Sequence, residues 1–276
     1  INLAVARRGE HGLPLMLGGD WNDGMNEVGA KGRGESVWLA FFLYDILTRF
    51  ARIAADCGRQ AEAAAFDAAA AELRENIEAC AWDGEWYLRA FYDDGTPLGS
   101  KNGEECRIDC ISQAWAAISG AASPGRAKKA MDAVFKNLLD ERQGLLKLFT
   151  PPFDRGEKQA GYIRGYLPGV RENGGQYTHA AMWVSLGFVA LGDGEKAHAL
   201  LSMLNPVERA KTPELRKKYR GEPYVVAADV YTLQGQEGRA GWTWYTGAAS
   251  WMLQAVTAML GFKKEGDQLF IKPVLP

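Results

Sequence analysis

The chain has 276 residues, of which 47% are hydrophobic and 24% are charged, enough for one large core or two modest domains. Its 32 basic and 34 acidic residues give a net charge of −2, so the sequence lacks the positive charge with which proteins bind nucleic acids or anionic membranes. No run approaches the roughly 20 apolar residues of a membrane span, and no signal-peptide pattern is present. We expect a soluble protein that neither binds nucleic acid nor inserts into a membrane.

Helical periodicity dominates the chain, beginning with residues 36–58 and 60–82. The first segment spaces its apolar residues at helical intervals and ends at Gly58, and the second is an alanine-rich helix former. We predict that the two form an antiparallel pair. Further helices are predicted over residues 108–120, 123–139 with Pro124 in its first turn, 178–192, 194–205 and 246–261.

A predicted β-hairpin and three long loops separate these helices. Residues 82–99 alternate in polarity and contain two Asp-Gly turns, which predicts the hairpin. The loops at 18–35, 149–176 and 219–245 are longer than simple connections, as loops that build a site are. Helical hairpins joined by short and long loops predict an all-α fold, either a solenoid or a closed α/α barrel. We favour the barrel because it brings distant loops over one central depression.

Cysteine usage bears on metal binding and on the redox compartment. The four cysteines include no CxxC pair, and no histidine near Cys106 and Cys110 completes a zinc-binding set. We predict free thiols, including those of Cys57 and Cys80, a reducing compartment and no bound metal. A disulfide is the alternative.

Aromatic residues are concentrated in and near the long loops, among acidic, amide and arginine side chains. Aromatic faces pack against the C–H faces of a sugar ring while polar groups bind its hydroxyls, so this composition is typical of a carbohydrate site. Core packing explains a tryptophan on a helix equally well, whereas the loop WTWY at 242–245, which includes Trp244, is the stronger candidate. The candidate residues are Trp21, Trp38, Trp115, Trp183, Trp242, Trp244, Tyr162, Tyr166, Tyr177 and Tyr245.

The stretch GGDWNDGMN, residues 18–26, places two carboxylates beside a tryptophan on one bend. Glycoside chemistry commonly uses two acids, but residues three apart on one bend rarely stand on both sides of a bond. We therefore predict one catalytic acid and one carboxylate that forms hydrogen bonds or has a structural role. The alternative is a plain turn whose Asp and Asn side chains bind their own backbone.

Several long motifs together indicate a family. They are GLPLMLGGDWNDGMNEVGAKGRGESVWLA, RIDCISQAWAAISGAA, LFTPPFD, GYIRGYLPGVRENGGQYTHAAMW, EPYVVAADVY and GRAGWTWYTGAASWM. In these motifs the chain resembles glycoside hydrolase family 94, the inverting phosphorylases, and looks closest to the phosphorylase-like domain of cyclic β-1,2-glucan synthases and to 1,2-β-oligoglucan phosphorylases. The resemblance implies that residues 1–262 are the C-terminal portion of an (α/α)6 catalytic barrel and that residues 263–276 begin a β segment.

The resemblance also implies roles for the bend and for the motif RENGG. Asp23 is expected to be the general acid, and Asp20 and Trp21 to shape the subsite of the departing sugar. Glu172 is expected to bind sugar hydroxyls near the scissile bond. Arg171 and Gln176 are weaker candidates for the same task, and Trp244 is a further candidate for sugar binding.

A phosphate site is the third implication. His179, Thr246 and Gly247 are expected to form it. The sequence agrees, because TGAASWM begins a helix whose free N–H groups suit an anion, and a histidine supplies a hydrogen bond and, if protonated, a charge. Considered alone, Thr246 could be only an N-cap and His179 a core histidine.

The reaction implied is reversible inverting phosphorolysis of β-glucosidic bonds, with inorganic phosphate as co-substrate and no cofactor. The expected partners are a β-glucan oligosaccharide, phosphate and an N-terminal part of the same protein, which supplies further site residues. We expect a cytoplasmic location, or the cytoplasmic side of the inner membrane as part of a larger synthase. The alternatives are an inverting hydrolase with Glu172 or Asp229 as base, and a glucan-binding domain without activity.

Overall fold

The computed structural model describes residues 1–276 and is built mainly from helices. The helices are α1 Asn2–Ala6, α2 Val37–Asp56, α3 Gln60–Cys80, α4 Cys110–Ser119, α5 Pro124–Leu138, α6 Thr178–Ala190, α7 Gly194–Leu204, α8 Pro206–Arg209, α9 Pro213–Tyr219 and α10 Thr246–Leu260, with 3₁₀ turns at Asp23–Met25 and Tyr162–Gly165. Every helix predicted from periodicity is confirmed. None is long and apolar enough to cross a membrane.

Capping residues set the helix ends where the sequence indicated them. The Ser36 hydroxyl accepts from the Leu39 amide at the start of α2, and Gly58, with φ of 75°, follows its end. Proline is the first residue of the short helices α8 and α9, which periodicity did not predict because four and seven residues are too few to show it.

The helices form two layers. In the first layer, α2, α4, α6 and α10 contact one another in succession; in the second, α3, α5 and α7 pack behind α2, α4 and α6. The predicted helical hairpins are therefore present. They enclose a single core of 54 buried residues, and a second cluster of five lies beneath the loop 219–245.

An aromatic residue stands at the sixth position of every first-layer helix. Phe42, Trp115, Trp183 and Trp251 occupy it in α2, α4, α6 and α10. Successive ring centroids lie 5.1, 5.4 and 5.5 Å apart, so the four rings form a continuous row, which we call the aromatic row. The row joins the first-layer helices at one level.

The strands are short and all antiparallel. They are β1 Glu35–Ser36, β2 Ala90–Phe91, β3 Pro97–Leu98, β4 Ile108–Asp109, β5 Leu139–Asp140, β6 Leu145–Leu146, β7 Phe149–Thr150, β8 Gln176–Tyr177, β9 Asp229–Val230, β10 Phe262–Glu265 and β11 Gln268–Ile271. The predicted hairpin is confirmed as β2 and β3, to which β1 adds a third strand. A second hairpin, β10 and β11, follows α10.

Two-residue strands bring the long loops to the N-terminal ends of the first-layer helices. β1, β4 and β8 each immediately precede α2, α4 and α6. β4 pairs with β7 at the start of the loop 149–176, and β8 pairs with β9 in the loop 219–245. The loops that the sequence marked therefore meet at one end of the layer.

The cysteines are all free, as predicted, and Cys106 and Cys110 are buried.

Candidate active site

The first acid of the bend is an internal structural group. The Asp20 side chain is completely buried, and its two oxygens accept from the Arg89 guanidinium at 2.6 and 2.7 Å. The Ser36 hydroxyl donates to the same carboxylate at 2.6 Å, and this set of bonds holds the pKa of Asp20 below its usual value despite burial. The Asp20 side chain is therefore not open to a sugar, and any part it has in shaping the subsite is to hold the bend from inside.

The second acid is turned outward by two successive side-chain turns. The Asn22 amide donates to Asp20 Oδ1 at 3.0 Å, and the Gly24 amide donates to Asn22 Oδ1 at 3.2 Å. Asp23 lies between them and is exposed. The turn that the sequence offered as an alternative is thus present, and it presents one carboxylate to solvent.

The opposite side of the bend rests on the segment 160–166. The Tyr162 amide donates to Asn26 Oδ1 at 3.0 Å, and the Glu27 amide donates to the carbonyl of Ala160. The Tyr162 hydroxyl faces Asp23. Burial, together with this carboxylate, raises the pKa of Tyr162 to about 12, so the phenol stays protonated and can donate to Asp23.

Trp21 connects the bend to α6. Its ring meets those of Tyr177, His179 and Trp183 at centroid distances of 5.3, 5.5 and 5.4 Å. Since Trp183 belongs to the aromatic row, the half-buried Trp21 ring packs against that row at an interplanar angle of 54°. This contact brings the bend next to one of the predicted phosphate ligands.

His179 is a neutral group in this setting. Burial lowers its pKa to about 4, its Nε2 is buried without a hydrogen-bond partner, and its ring stacks with that of Trp251 at 5.7 Å. A positive charge, which His179 would add only if protonated, is therefore disfavoured in this setting. Its contribution to anion binding is a hydrogen bond.

The start of α10 lies against this histidine. A methyl group placed on Gly247 would lie 3.2 Å from His179 Nδ1, so the absent side chain leaves a gap between the ring and the helix. Thr246, the first residue of α10, is exposed, and no side chain caps the helix. The free N–H groups of a helix start favour an anion. The three predicted phosphate ligands therefore lie together.

Glu172 and Arg171 form a polar edge beside Tyr177. Glu172 is mostly buried, and its Oε2 has no hydrogen-bond partner and lies 3.5 Å from Arg171 Nε. Burial and the Glu172 carboxylate raise the pKa of Tyr177, whose ring contacts Trp21. The Arg171 guanidinium lies over the rings of Tyr166 and Trp242 at 4.9 and 5.4 Å.

Two other polar residues of this region have structural roles. Gln176 is 1% exposed and its Oε1 accepts from the Leu146 amide, which corrects its expected role in sugar binding. Asp229 is equally buried, and its two oxygens accept from the amides of Arg171 and Trp242 at 3.1 and 3.2 Å. Burial raises the pKa of Asp229, and its oxygens fix two loops.

Trp244 lies apart from the contacts described so far. Its ring is 68% exposed, and its Nε1 donates to Glu222 at 3.0 Å. Trp242, its neighbour in WTWY, instead packs on Arg171. Both tryptophans of the loop are exposed, and Trp242, at 57%, also packs on the polar edge.

The sequence reasoning missed Arg89 and Asp109. Asp109 caps α4 by accepting from the Ile111 amide at 2.8 Å. Its Oδ2 lies 3.3 Å from Arg89 Nε without forming a hydrogen bond, and burial raises its pKa to about 6 although Arg89 opposes this. The sequence signal that could have indicated Arg89 was its place, as a charged residue, inside the alternating hairpin sequence WYLRAFY.

We expect Asp109→Asn to change how stability depends on pH. An unfolded aspartate ionises near pH 4, so the native protein keeps the Asp109 proton between about pH 4 and 6, and this contribution is lost as the pH rises through about 6. Asparagine caps helices well and does not ionise. The stability of the variant relative to the parent should therefore increase between pH 4.5 and pH 7.5, by about 3 kcal/mol at most. Urea unfolding at the two pH values measures this.

Asp193→Asn is the control, because Asp193 caps α7 but is part-exposed. A gain in the stability of Asp109→Asn that is the same at pH 4.5 and at pH 7.5 would contradict the prediction.

These features together define a helical domain whose long loops gather aromatic and carboxylate side chains at one end. The family model that matches is described as "Glycosyl hydrolase 94 superfamily, catalytic domain" and covers residues 1–261. The chain belongs to this family, which confirms the resemblance found in its motifs.

Several relatives share most of the chain. It is 49% identical over 277 residues to the cyclic beta-(1,2)-glucan synthase NdvB of Rhizobium meliloti, a match that covers the whole chain and 10% of the synthase. It is 36% identical to the solabiose phosphorylase of Paenibacillus borealis and 32% identical to the N,N'-diacetylchitobiose phosphorylase of Vibrio furnissii, over 97% of the chain and 35% and 33% of those proteins. The chain thus spans a tenth to about a third of these relatives.

Solved structures share the helical architecture. A sialidase superposes over the whole chain and 24% of its own, with a TM-score of 0.65 and 13% identity. A GH78 rhamnosidase of Bacillus sp. GL1 superposes over 96% of the chain and 23% of its own, with a TM-score of 0.57 and 18% identity. At these identities the likeness concerns the fold alone.

Proposed function

We propose that this chain contributes the general acid and part of the phosphate site to an inverting phosphorylase. The enzyme cleaves β-glucosidic bonds reversibly and yields α-glucose 1-phosphate. The observation that supports this most directly is the gap between the His179 ring and Gly247 at the start of α10, beside the ring of Trp21. An anion held there lies next to the aromatic face on which a sugar can stack.

The proposed reaction is a single displacement. A phosphate oxygen forms a bond to the anomeric carbon on the face opposite the leaving group, and the bond from that carbon to the glycosidic oxygen breaks. Asp23 gives its proton to that oxygen, so the departing sugar leaves as a neutral alcohol. Phosphate is already an anion at neutral pH and needs positioning rather than a base. In the reverse direction the Asp23 carboxylate accepts a proton from the acceptor hydroxyl.

Glu172 is proposed to bind sugar hydroxyls beside the reacting bond. Its unpartnered Oε2 supports this, because a mostly buried carboxylate oxygen needs a donor and a sugar hydroxyl supplies one. Glu172→Gln keeps the shape but weakens a charge-assisted bond, and we expect kcat/KM for the glucan to fall by about 5–20-fold with the KM for phosphate unchanged. Initial rates over both substrates measure this.

Glu195→Gln is the control, since Glu195 is an exposed residue of α7. An equal effect of both substitutions would contradict the proposed role of Glu172.

We further propose β-1,2-glucan as the substrate and an (α/α)6 barrel, completed by other parts of the protein, as the catalytic unit. The 49% identity to a protein named as a cyclic beta-(1,2)-glucan synthase supports the linkage. In such a synthase the domain would trim glucan chains and so control their length, at the cytoplasmic side of the inner membrane. No cofactor is needed beyond phosphate as co-substrate.

Phosphate dependence tests the proposal. The full-length protein is incubated with β-1,2-glucooligosaccharides with and without inorganic phosphate, and glucose 1-phosphate and free glucose are assayed. We expect α-glucose 1-phosphate only with phosphate. Glucose released without phosphate would indicate a hydrolase; Asp229, whose oxygens already bind two backbone amides, is the less suitable base for one. Glucan binding with no product would indicate a binding domain.

A further inference from the structure

Arg89 is a completely buried charged side chain at the meeting point of three elements. It directly precedes β2, its amide donates to the carbonyl of Leu98, and its carbonyl accepts from the amide of Val37, the first residue of α2. The backbone of Arg89 is thus fixed on the hairpin side and on the α2 side. Its guanidinium occupies one defined position.

The guanidinium joins groups that each hold the start of a structural element. Both its terminal nitrogens bond Asp20 in a fork, and Asp20 receives the Asn22 amide that begins the bend. Nη1 lies 3.5 Å from the hydroxyl of Ser36, which caps α2. Nε faces Asp109, which caps α4. The Arg89 side chain therefore links the bend to the starts of α2 and α4.

Stability alone does not account for this arrangement. Burying an ion pair costs several kcal/mol in desolvation, and apolar side chains of similar volume often serve stability as well or better. Here one guanidinium faces two buried carboxylates, Asp20 and Asp109, and only Asp20 is hydrogen bonded to it. The planar fork fixes the orientation of the Asp20 carboxylate in a way that a single bond cannot.

The orientation of Asp20 is passed along the bend. Asp20 Oδ1 receives the Asn22 amide, Asn22 Oδ1 receives the Gly24 amide, and Asp23 lies between these two bonds. Asn22 is 2% exposed, so this path has little freedom to adjust. A rotation of the Asp20 carboxylate would therefore move the Asp23 backbone.

We propose that Arg89 is a positioning residue for Asp23, acting through Asp20 and the two turns of the bend. The proposal rests on the proposed function, in which Asp23 is the general acid. Misplacement of a catalytic group by about 1 Å can cost on the order of 100-fold in rate. The phosphate ligands His179 and Gly247 are on other helices and form no hydrogen bond with this path. The His179 ring does contact Trp21, but the Trp21 ring is also held by Tyr177 and Trp183. Loss of the fork should therefore lower kcat and leave the KM for phosphate nearly unchanged.

Arg89→Lys in the full-length protein is the first test, because lysine keeps the charge but lacks the fork. We expect kcat for phosphorolysis to fall about 10–100-fold, with KM values within about threefold of the parent. Hydrogen exchange of the amides in residues 19–26 should become at least about tenfold faster, while exchange at residues 246–251 stays as in the parent.

Asp20→Asn is the second variant, should the lysine variant fail to fold. It is isosteric and weakens the same fork from the other side, so the same fall in kcat and the same faster exchange are expected. Arg126→Lys is the matched control, because Arg126 bonds Glu78 in an ion pair outside the bend. It should change neither kcat nor exchange at residues 19–26.

The proposal would be overturned if hydrogen exchange at residues 19–26, in the variants that fold, were as slow as in the parent. It would also be overturned by a rise in the KM for phosphate as large as the fall in kcat. If the unmodified protein forms no glucose 1-phosphate, the proposed function fails. The exchange measurement needs no turnover, so it still decides whether Arg89 positions the bend.

Discussion

Replacing Asp23 with asparagine is expected to lower the rate of phosphorolysis by about 10²–10⁴-fold and to leave glucan binding within about threefold of the parent. The amide is isosteric with the carboxyl group but has no proton to give to the glycosidic oxygen. Asp23 is exposed on a bend fixed by Asp20 and Asn22, so its replacement should cost the fold little. Glucose 1-phosphate formation from β-1,2-glucooligosaccharides and calorimetric binding measure the two effects.

An activated substrate separates loss of the acid from general damage. An aryl β-glucoside has a leaving group that departs without protonation, so its phosphorolysis should fall far less in Asp23→Asn. Glu27→Gln is the control, because Glu27 is the other exposed acid close to the bend. Activity within threefold of the parent in Asp23→Asn, or an equal loss for both substrates, would show that the acid lies elsewhere.

The helices could be predicted because their signals are local. Proline at the first residue of α5, serine before α2 and glycine after its end each act on the neighbouring backbone. The aromatic row could have been predicted as well, since CISQAW, THAAMW and TGAASW place a tryptophan at the same helical position three times. Recognition of that repeat would have aligned the three helices before any contact was known.

The division of roles on the bend was only partly predictable. Spacing indicated that Asp20 and Asp23 cannot share one task, but it did not say which one is buried. That depends on Arg89, which is 69 residues from Asp20 in the chain and is brought to it by the hairpin. Long-range ion pairs leave no periodic signal, so a sequence pattern does not predict them.

The polar residues beside RENGG show a second limit. Gln176 and Tyr177 form a two-residue strand, and successive side chains of a strand point to opposite faces. Two residues are too few to show which face is buried. The structure turns Gln176 inward to Leu146 and brings Tyr177 to Trp21. Motif position alone therefore does not distinguish the buried Gln176 from Tyr177.

The phosphate site can be tested by adding a single methyl group. Gly247→Ala places that methyl 3.2 Å from His179 Nδ1, in the gap between the ring and the helix start. We expect the KM for phosphate to rise by about 10–100-fold, because one or two hydrogen bonds to an anion are lost or lengthened. The variant should stay within about 1 kcal/mol of the parent in stability, since the preference of a helix for alanine over glycine is opposed by the close contact with His179. Initial rates at varied phosphate and thermal unfolding measure the two effects.

Gly125→Ala is a closely matched control. Gly125 is the second residue of α5, as Gly247 is of α10, and a methyl group there meets nothing within 4 Å. Gly125→Ala should therefore raise stability, Gly247→Ala should change it little, and only Gly247→Ala should weaken phosphate binding. A nearly unchanged stability with a weakened phosphate affinity is difficult to explain by damage to the fold, which would weaken both. If Gly247→Ala bound phosphate as the parent does, the anion would have to lie away from α10, and His179 would be a histidine of the core.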